Sequence, residues 1–153
     1  MSGFNTWTTA TVNLPLVREA AEDNQKVRTP QDVRDCMRDI AKLAQEAFMV
    51  LTLNAKNGLI DKKMITLGLV DASLVHPREV FRGAIADNAS AIILCHNHPS
   101  GDCNPSTQDI KITNQLIEAG KVVDIKVLDH VIVSQMPGDA GFLSMRETGI
   151  VNF

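Results

Sequence analysis

Residues 91–109 constrain the fold of this chain more than any other part of the sequence. They begin with a short apolar run at 91–95 that contains β-branched residues, which indicates a buried strand. His96 and His98 follow directly. Because residues two apart on a strand point to the same side, both imidazoles can reach one metal ion, while Asn97 points away. The sequence therefore predicts a strand that presents two neighbouring histidines at its carboxyl end.

A helix is predicted to begin shortly after this strand. Pro99 and Gly101 turn the chain, and residues 106–109 have the form S-x-x-D, a capping box with Asp in place of the more usual Glu. We predict a helix over residues 106–119 that ends at Gly120. Its apolar residues are Ile110, Ile112, Leu116 and Ile117.

His96, His98 and Asp109 offer two imidazoles and one carboxylate. A catalytic zinc site uses this number of protein ligands, because its fourth position stays open for water. We therefore predict one Zn²⁺ per chain, although two nitrogens and one oxygen also suit other divalent ions. Ser106 and Asp109 have an alternative role as the helix cap, and the two roles do not exclude each other. Cys103 is predicted to be a bystander, because a further ligand would close the site.

A hydrolytic metal site also needs a carboxylate that is not itself a ligand, to act as general base or acid near the water. Glu46 stands at the mouth of the most apolar run of the chain, the predicted strand 47–53. Glu79 stands near His76 and Arg78 at a predicted helix start, where a favourable charge at the helix N-terminus is the simpler explanation. These three residues are possible lining residues of a cleft. The residues alone leave both carboxylates open, with Glu46 slightly ahead.

Several segments taken together resemble the RadC-like JAB domain, a branch of the JAMM (MPN-plus) metalloprotease superfamily. They are H-P-R-E-V-F at 76–81, H-N-H-P-S-G at 96–101 and P-S-T-Q-D at 105–109, supported by segments at 46–48, 53–57, 129–133 and 143–147. The resemblance covers one JAB/MPN-like domain at 29–153, after an N-terminal extension at 1–28. It implies an α/β fold with a central mixed sheet flanked by helices, in a layout like that of the cytidine deaminases.

The resemblance also implies roles for individual residues. The JAMM pattern matches His96, His98, Ser106 and Asp109, and Glu46 takes the place of the family's assisting glutamate. It implies that zinc is held by the two histidines and the aspartate, that Glu46 carries a proton from the water to the leaving amine, and that Ser106 donates a hydrogen bond to the oxyanion. The superfamily typically cuts peptide or isopeptide bonds, so a protein or peptide substrate is expected.

Composition weighs against other function classes. General nucleic-acid binding needs basic surface and often aromatic rings that stack on bases. The net charge of −3 and the aromatic content of 4% do not fit this requirement. They argue against the alternative suggested by the historical DNA-repair label of the RadC branch, a repair accessory or DNA-linked hydrolase. A second alternative, a non-catalytic partner-binding JAB domain, is typical of relatives that lost their ligands, whereas all are present here. A zinc nucleoside deaminase would need H-x-E and P-C-x-x-C, which this chain lacks.

The remaining patterns predict the other elements and the location of the protein. The three cysteines include no C-x-x-C, so no disulfide framework is indicated. The N-terminus lacks a signal-peptide pattern, and no apolar run approaches the roughly 20 residues that span a bilayer. We therefore expect a cytoplasmic protein without membrane association.

His130 is interpreted as a hydrogen-bonded histidine near a strand break. The predicted elements are a helix from Thr29 through Leu43, a hairpin of strands 46–53 and 59–68, a short strand at 69–74, a helix at 77–87 and strands at 122–128 and 130–134.

Overall fold

The computed structural model describes residues 25–68 and 75–153, without the side chains of residues 139 and 140. The helices are α1 (Pro30–Cys36), α2 (Arg38–Ala41), α3 (Pro77–Ala86) and α4 (Thr107–Val123), with a short 3-10 helix at Gly138–Gly141. The strands are β1 (Ala47–Leu53), β2 (Leu59–Leu67), β3 (Ala91–Asn97), β4 (Lys126–Val133) and β5 (Phe142–Ser144). None of the helices in these ranges has the length and apolar character needed to cross a membrane.

The strands form one mixed sheet in the order β2-β1-β3-β4-β5. β1 runs antiparallel to both β2 and β3, β3 runs parallel to β4, and β5 is antiparallel to β4. The parallel pair is joined by α4, which supplies the long crossover that parallel neighbours require. This confirms the predicted α/β domain with a central mixed sheet.

Helices cover both faces of the sheet. On one face, α3 and α4 pack over a cluster that includes Val50 and Leu94, and on the other face α1 and α2 pack over Leu51 and Ile93. Successive strand residues alternate between these two clusters because side chains alternate across a strand. Strands buried on both faces are expected to be nearly continuously apolar, as most of β1 and β3 is.

The N-terminal half follows the predicted pattern with one difference. Thr29 caps α1 in a capping box, since its hydroxyl accepts from Asp32 N at 3.2 Å and the Asp32 carboxylate accepts from Thr29 N at 2.9 Å. The helix predicted to reach Leu43 is instead interrupted at Met37, whose backbone leaves the helical region and caps α1. The buried Met37 side chain packs into the core beneath the two short helices.

The predicted hairpin of β1 and β2 is confirmed. Asn57 takes a left-handed conformation with φ of 60°, and the Asn54 side chain accepts hydrogen bonds from Lys56 N and Gly58 N, both at 2.9 Å. Val27, within the predicted N-terminal extension, donates its N–H to Asn57 O at 2.9 Å. The predicted strand at 69–74 and residues 1–24 of the extension lie outside the described residues.

Gly120 does not end α4, as was predicted. The helix continues to Val123 and ends at Asp124, which adopts the left-handed conformation with φ of 56°. A Cβ on Gly120 would lie 2.5 Å from Ile125 O and 3.3 Å from Phe81 Cζ. The glycine is therefore needed for close packing of the helix on its neighbours, and not for helix termination.

The two strands predicted at 122–128 and 130–134 are one continuous strand, β4. Its pairing with β3 shifts by one residue along its length, because Ile92 pairs with Val127 whereas Leu94 pairs with His130. An extra residue in one strand reverses which side chains face a given side of the sheet. The predicted break thus corresponds to a register shift within an unbroken strand.

Candidate metal centre

Four side chains from three parts of the fold meet at one end of the sheet. They are Glu46, His96, His98 and Asp109, and one ligand atom from each lies within 4.8 Å of all the others. Glu46 immediately precedes β1, the histidines lie at the end of β3, and Asp109 lies in the first turn of α4. The structure therefore brings together the three predicted metal ligands and the predicted general base.

Strand alternation explains why Glu46 faces the histidines. Phe48 pairs with His96 across β1 and β3, and their rings stack with centroids 6.0 Å apart at an interplanar angle of 11°. Glu46 lies two residues before Phe48 and so projects to the same face. Its Oε1 is 3.7 Å from His96 Nε2. The short apolar strand thus positions a carboxylate beside a ring that is 50 residues distant in sequence.

Asn97 points to the opposite face, as predicted, and it fixes the segment that carries Glu46. Its Oδ1 accepts from Ala47 N at 2.6 Å, and its Nδ2 donates to Gln45 O at 3.0 Å. Gly68 N also donates to Glu46 O at 2.8 Å. The peptide groups on both sides of Glu46 are therefore held, a role that the sequence patterns did not reveal.

Asp109 combines the two roles that the sequence left open. Its carboxylate accepts from Ser106 N at 2.8 Å, and its own N–H donates to Ser106 Oγ at 3.0 Å, which completes the capping box of α4. Its carboxylate oxygens also lie 3.4 Å from His96 Nε2 and 3.5 Å from His98 Nε2. Because Ser106 Oγ acts as the acceptor in the cap, its hydroxyl proton remains available to another acceptor.

The environment moves the pKa values of the two carboxyl groups in opposite directions. Burial by itself would raise the pKa of Asp109, but hydrogen bonds with His96 and His98 outweigh it and hold that pKa well below its usual range. Burial raises the pKa of Glu46 above its ordinary value. The hydrogen bond to Asp109 raises the pKa of His98. An ionised carboxylate therefore lies beside one that accepts a proton more readily, a pattern that separates acid and base roles.

The donor set fits a divalent cation. His98 Nδ1 lies 2.6 Å from Asp102 O, and because a carbonyl only accepts, this nitrogen carries a proton. His98 Nε2 therefore donates to Asp109 when the ring is protonated and presents a lone pair to the cluster when the ring is neutral. His96 Nε2 is 2.9 Å from His98 Nε2, beside the ionised Asp109 carboxylate. Two nitrogens and one carboxylate are typical zinc ligands. Cys103 lies outside this group of four residues and is buried.

His130 is a buried, hydrogen-bonded histidine, as its interpretation from the sequence stated, but it also contacts the cluster. Its Nε2 lies 2.7 Å from His96 Nδ1, and its Nδ1 lies 2.6 Å from Thr113 Oγ1. Burial lowers the pKa of His130 well below its ordinary value, so the ring is neutral. The sequence signal was the Asp129-His130 pair, yet the Asp129 carboxylate accepts from the backbone N–H of His130 and not from its ring.

The other predicted cleft residues lie at the start of α3. Glu79 stands in the first turn, 3.9 Å from Arg78 and 3.8 Å from Arg82, while His76 precedes the helix and is exposed. None of the contacts described for these residues reaches the cluster. Their role in lining a cleft stays a prediction, and the position of Glu79 agrees with a favourable charge at the helix N-terminus.

Comparison with known families agrees with this geometry. The family model of the RadC-like JAB domain matches residues 27–150, which is most of the chain. The chain belongs to the RadC-like JAB domain family. This confirms the resemblance seen in the sequence motifs, and the matched segment includes all four residues of the cluster.

Similar proteins are found in several bacteria. A UPF0758 protein of Caldanaerobacter subterraneus subsp. tengcongensis is 46% identical over 139 residues, 90% of this chain and 58% of the relative. A UPF0758 protein of Alkaliphilus oremlandii is 47% identical over 130 residues, 84% of this chain and 54% of the relative. One from Halalkalibacterium halodurans is 45% identical over 132 residues, 86% of this chain and 55% of the relative. The chain thus spans a little over half the length of these relatives.

Proposed function

We propose that this RadC-like JAB domain is a zinc-dependent hydrolase of the JAMM type, a metallopeptidase or isopeptidase that uses a metal-activated water. The observation that carries the proposal is the convergence of Glu46, His96, His98 and Asp109 within 4.8 Å. Membership of the RadC-like JAB domain family supports the same proposal. Two imidazoles and one carboxylate leave an open position on a tetrahedral ion, and a further carboxylate stands beside it.

His96, His98 and Asp109 would hold the ion. When bound, zinc supplies Lewis acidity, which lowers the pKa of water to about 7 and polarises a carbonyl. Asp109 suits this role because its low pKa keeps it ionised and its cap contacts fix its position at the start of α4. The three ligands come from two elements that pack against each other, so the fold itself preorganises the site.

Glu46 is suited to move a proton between water and the leaving group. Its carboxylate removes a proton from the attacking water, the water oxygen bonds to the carbonyl carbon, and the same proton passes to the amine nitrogen as the C–N bond breaks. The raised pKa of Glu46 favours a group that both accepts and returns a proton. Asn97 supports this task because its hydrogen bonds hold the backbone next to Glu46.

Ser106 is suited to stabilise the oxyanion. Its oxygen accepts from Asp109 N, so its hydroxyl proton can be donated to the developing negative charge of the tetrahedral intermediate. The N-terminus of α4 is the positive end of the helix dipole, which also favours a negative charge at this place. One position in the sequence thus serves the helix cap and, in this proposal, the reaction.

Cleavage of a mixed library of peptides and isopeptide-linked peptides tests the proposal. Wild type, reconstituted with Zn²⁺, should release new carboxyl termini that mass spectrometry identifies, and Glu46→Gln should reduce the rate by at least about 100-fold. Ser106→Ala should reduce it less. Glu118→Gln serves as the matched control, because this exposed glutamate lies on the outer face of α4 and contacts Lys121.

Three results would contradict parts of this proposal. Cleavage by Glu46→Gln as fast as by wild type would remove Glu46 from the reaction. Absence of any cleavage by wild type loaded with Zn²⁺ would favour a non-catalytic partner-binding domain. Salt-dependent binding and cleavage of DNA without peptide cleavage would favour the DNA-linked alternative, for which the net charge of −3 offers little support.

A further inference from the structure

A chain of buried hydrogen bonds leads from the candidate metal centre into the core and returns to it. His96 Nδ1 contacts His130 Nε2 at 2.7 Å, His130 Nδ1 contacts Thr113 Oγ1 at 2.6 Å, and Thr113 Oγ1 contacts Asp109 O at 2.6 Å. All three residues that form this series of hydrogen bonds are fully buried. The chain therefore begins on one predicted ligand and ends on the backbone of another.

The backbone carbonyl sets the direction of every hydrogen bond in this chain. Asp109 O can only accept, so the single hydroxyl proton of Thr113 lies between the two oxygens. Thr113 Oγ1 must then accept from His130, which places a proton on His130 Nδ1 and leaves Nε2 as an acceptor. His96 Nδ1 therefore carries a proton and donates to His130. His96 Nε2 is left as an acceptor, and it accepts from His98 Nε2 at 2.9 Å while the His98 ring also carries a proton on that nitrogen.

The reverse arrangement is disfavoured by the same geometry. It would direct the Thr113 proton at His130 Nδ1, and the lone pairs of Thr113 Oγ1 would face those of Asp109 O at 2.6 Å. His130 would then donate to His96 Nδ1, and the proton of neutral His96 would move to Nε2. In that tautomer His96 points an N–H at the cluster and has no lone pair for a metal.

The fold places His130 at this position through the register shift in β4. Val127 packs on the α3 and α4 side of the sheet, and regular alternation would send His130 to the opposite side. The one-residue shift between β3 and β4 instead aligns His130 with Leu94 and turns its ring toward His96. The buried Asp129 carboxylate holds the shifted backbone, because it accepts from His130 N at 2.7 Å and from Ser144 Oγ at 2.5 Å.

We propose that His130 and Thr113 are positioning residues that fix His96 in the tautomer competent to bind a metal. The inference rests on the proposed metal centre, but the tautomer itself is a property of the protein without metal. His98 needs no such relay, because its Nδ1 contacts the carbonyl of Asp102 directly. Each ligating imidazole is therefore oriented by a backbone carbonyl, one directly and the other through two side chains. Such outer contacts commonly set ligand orientation and affinity.

The tautomer is tested by long-range ¹H–¹⁵N NMR of the metal-free protein labelled at histidine. At about pH 8.5, where ordinary imidazoles are neutral, His96 and His130 should both show protonated Nδ1 and unprotonated Nε2. Assignment comes from the spectra of His96→Ala and His130→Gln. Protonated Nε2 on His96 in wild type would overturn the proposal, whether or not the protein binds zinc.

The consequence for binding is tested with Zn²⁺ alone, in competition with a chromophoric chelator. Thr113→Val removes the hydroxyl at nearly constant volume and should weaken Zn²⁺ binding by about 10- to 100-fold. Thr113→Ser restores the hydroxyl and should lie within a few fold of wild type. His130→Phe should weaken binding more than His130→Gln, whose amide oxygen can still accept from His96 Nδ1.

A buried threonine elsewhere provides the matched control. Thr52 is also 0% exposed and its hydroxyl contacts Asp61 O and Asp87, but it lies near the far end of β1 from Glu46. Thr52→Val should lower stability without changing Zn²⁺ affinity. Equal Zn²⁺ affinity of Thr113→Val and wild type would overturn the proposal. Failure of wild type to bind Zn²⁺ would instead contradict the proposed function. In that case the NMR spectrum alone would test whether His130 and Thr113 fix the tautomer of His96.

Discussion

Asn97 and His98 are adjacent in the chain but act on opposite faces of the sheet. His98 faces the cluster, while the amide of Asn97 reaches beneath it to Ala47 N and Gln45 O. The alternation of a strand thus lets one short segment supply metal ligands on one side and hold the neighbouring strand on the other. The carboxylate at the start of β1 is positioned by a residue that never touches it.

Asn97→Ala is expected to destabilise the protein and to release the backbone that holds Glu46 beside the histidines. The substitution leaves the buried Ala47 N–H without its acceptor, which costs about 1–3 kcal/mol. Chemical denaturation measures this loss, and Zn²⁺ binding by the histidines and Asp109 should persist while cleavage falls. Asn114→Ala removes an exposed amide on α4 that donates to Ile110 O, and it should change stability by less than about 0.5 kcal/mol. Equal effects of the two substitutions would contradict the positioning role of Asn97.

At the scale of elements, the sequence predicted the helices and strands that have distinct ends. The capping boxes at Thr29 and Ser106 and the Asn-Gly turn of the hairpin each have a local physical cause that is visible in a few residues. The register shift in β4 has no such signal. Apolar residues lie on both faces of β4, so alternation does not tell which face Val127 and His130 occupy.

The function of Gly120 illustrates the same limit, because a glycine near a helix end also matches a stop signal. Its close approach to Ile125 O arises only when α4 packs against β4. Gly120→Ala should therefore destabilise the fold by about 1–3 kcal/mol, despite the better helix propensity of alanine. Gly83→Ala is the matched control in α3. There the new Cβ meets the flexible end of Lys63, which can move, so the loss should be smaller. A stabilising effect of Gly120→Ala in thermal unfolding would refute this account.

The cap of α1 predicts a pH dependence. Hydrogen bonds from the backbone of Arg28 and Thr29 hold the pKa of Asp32 below its ordinary value. A carboxyl whose pKa is lower in the folded state stabilises above its unfolded pKa of about 3.9, and this is lost as pH falls through the lower folded pKa. Asp32→Asn should thus cost about 0.5 kcal/mol at neutral pH and progressively less below about pH 4. Glu147→Gln controls for the loss of one exposed negative charge at neutral pH. A cost that is constant down to about pH 2 would be inconsistent with this explanation.

At the scale of the whole molecule, the site assembles residues that are distant in sequence. Local spacing alone pointed to His96, His98 and Asp109, because the strand, turn and helix that carry them are consecutive. Glu46 needed the family resemblance, since nothing local shows that β1 lies beside β3. His130 and Asn97 were understood only from the structure, where the sheet register brings them against His96 and Ala47.

Zinc content is the most direct test of the central claim that these four side chains form a metal centre. Wild type reconstituted with Zn²⁺ and freed of excess by gel filtration should contain about one zinc per chain by elemental analysis, as expected for one open three-ligand site. The variant His96→Ala/His98→Ala, shown by circular dichroism to be folded, should contain almost none. No retained zinc in reconstituted wild type, or equal zinc in both proteins, would contradict the account.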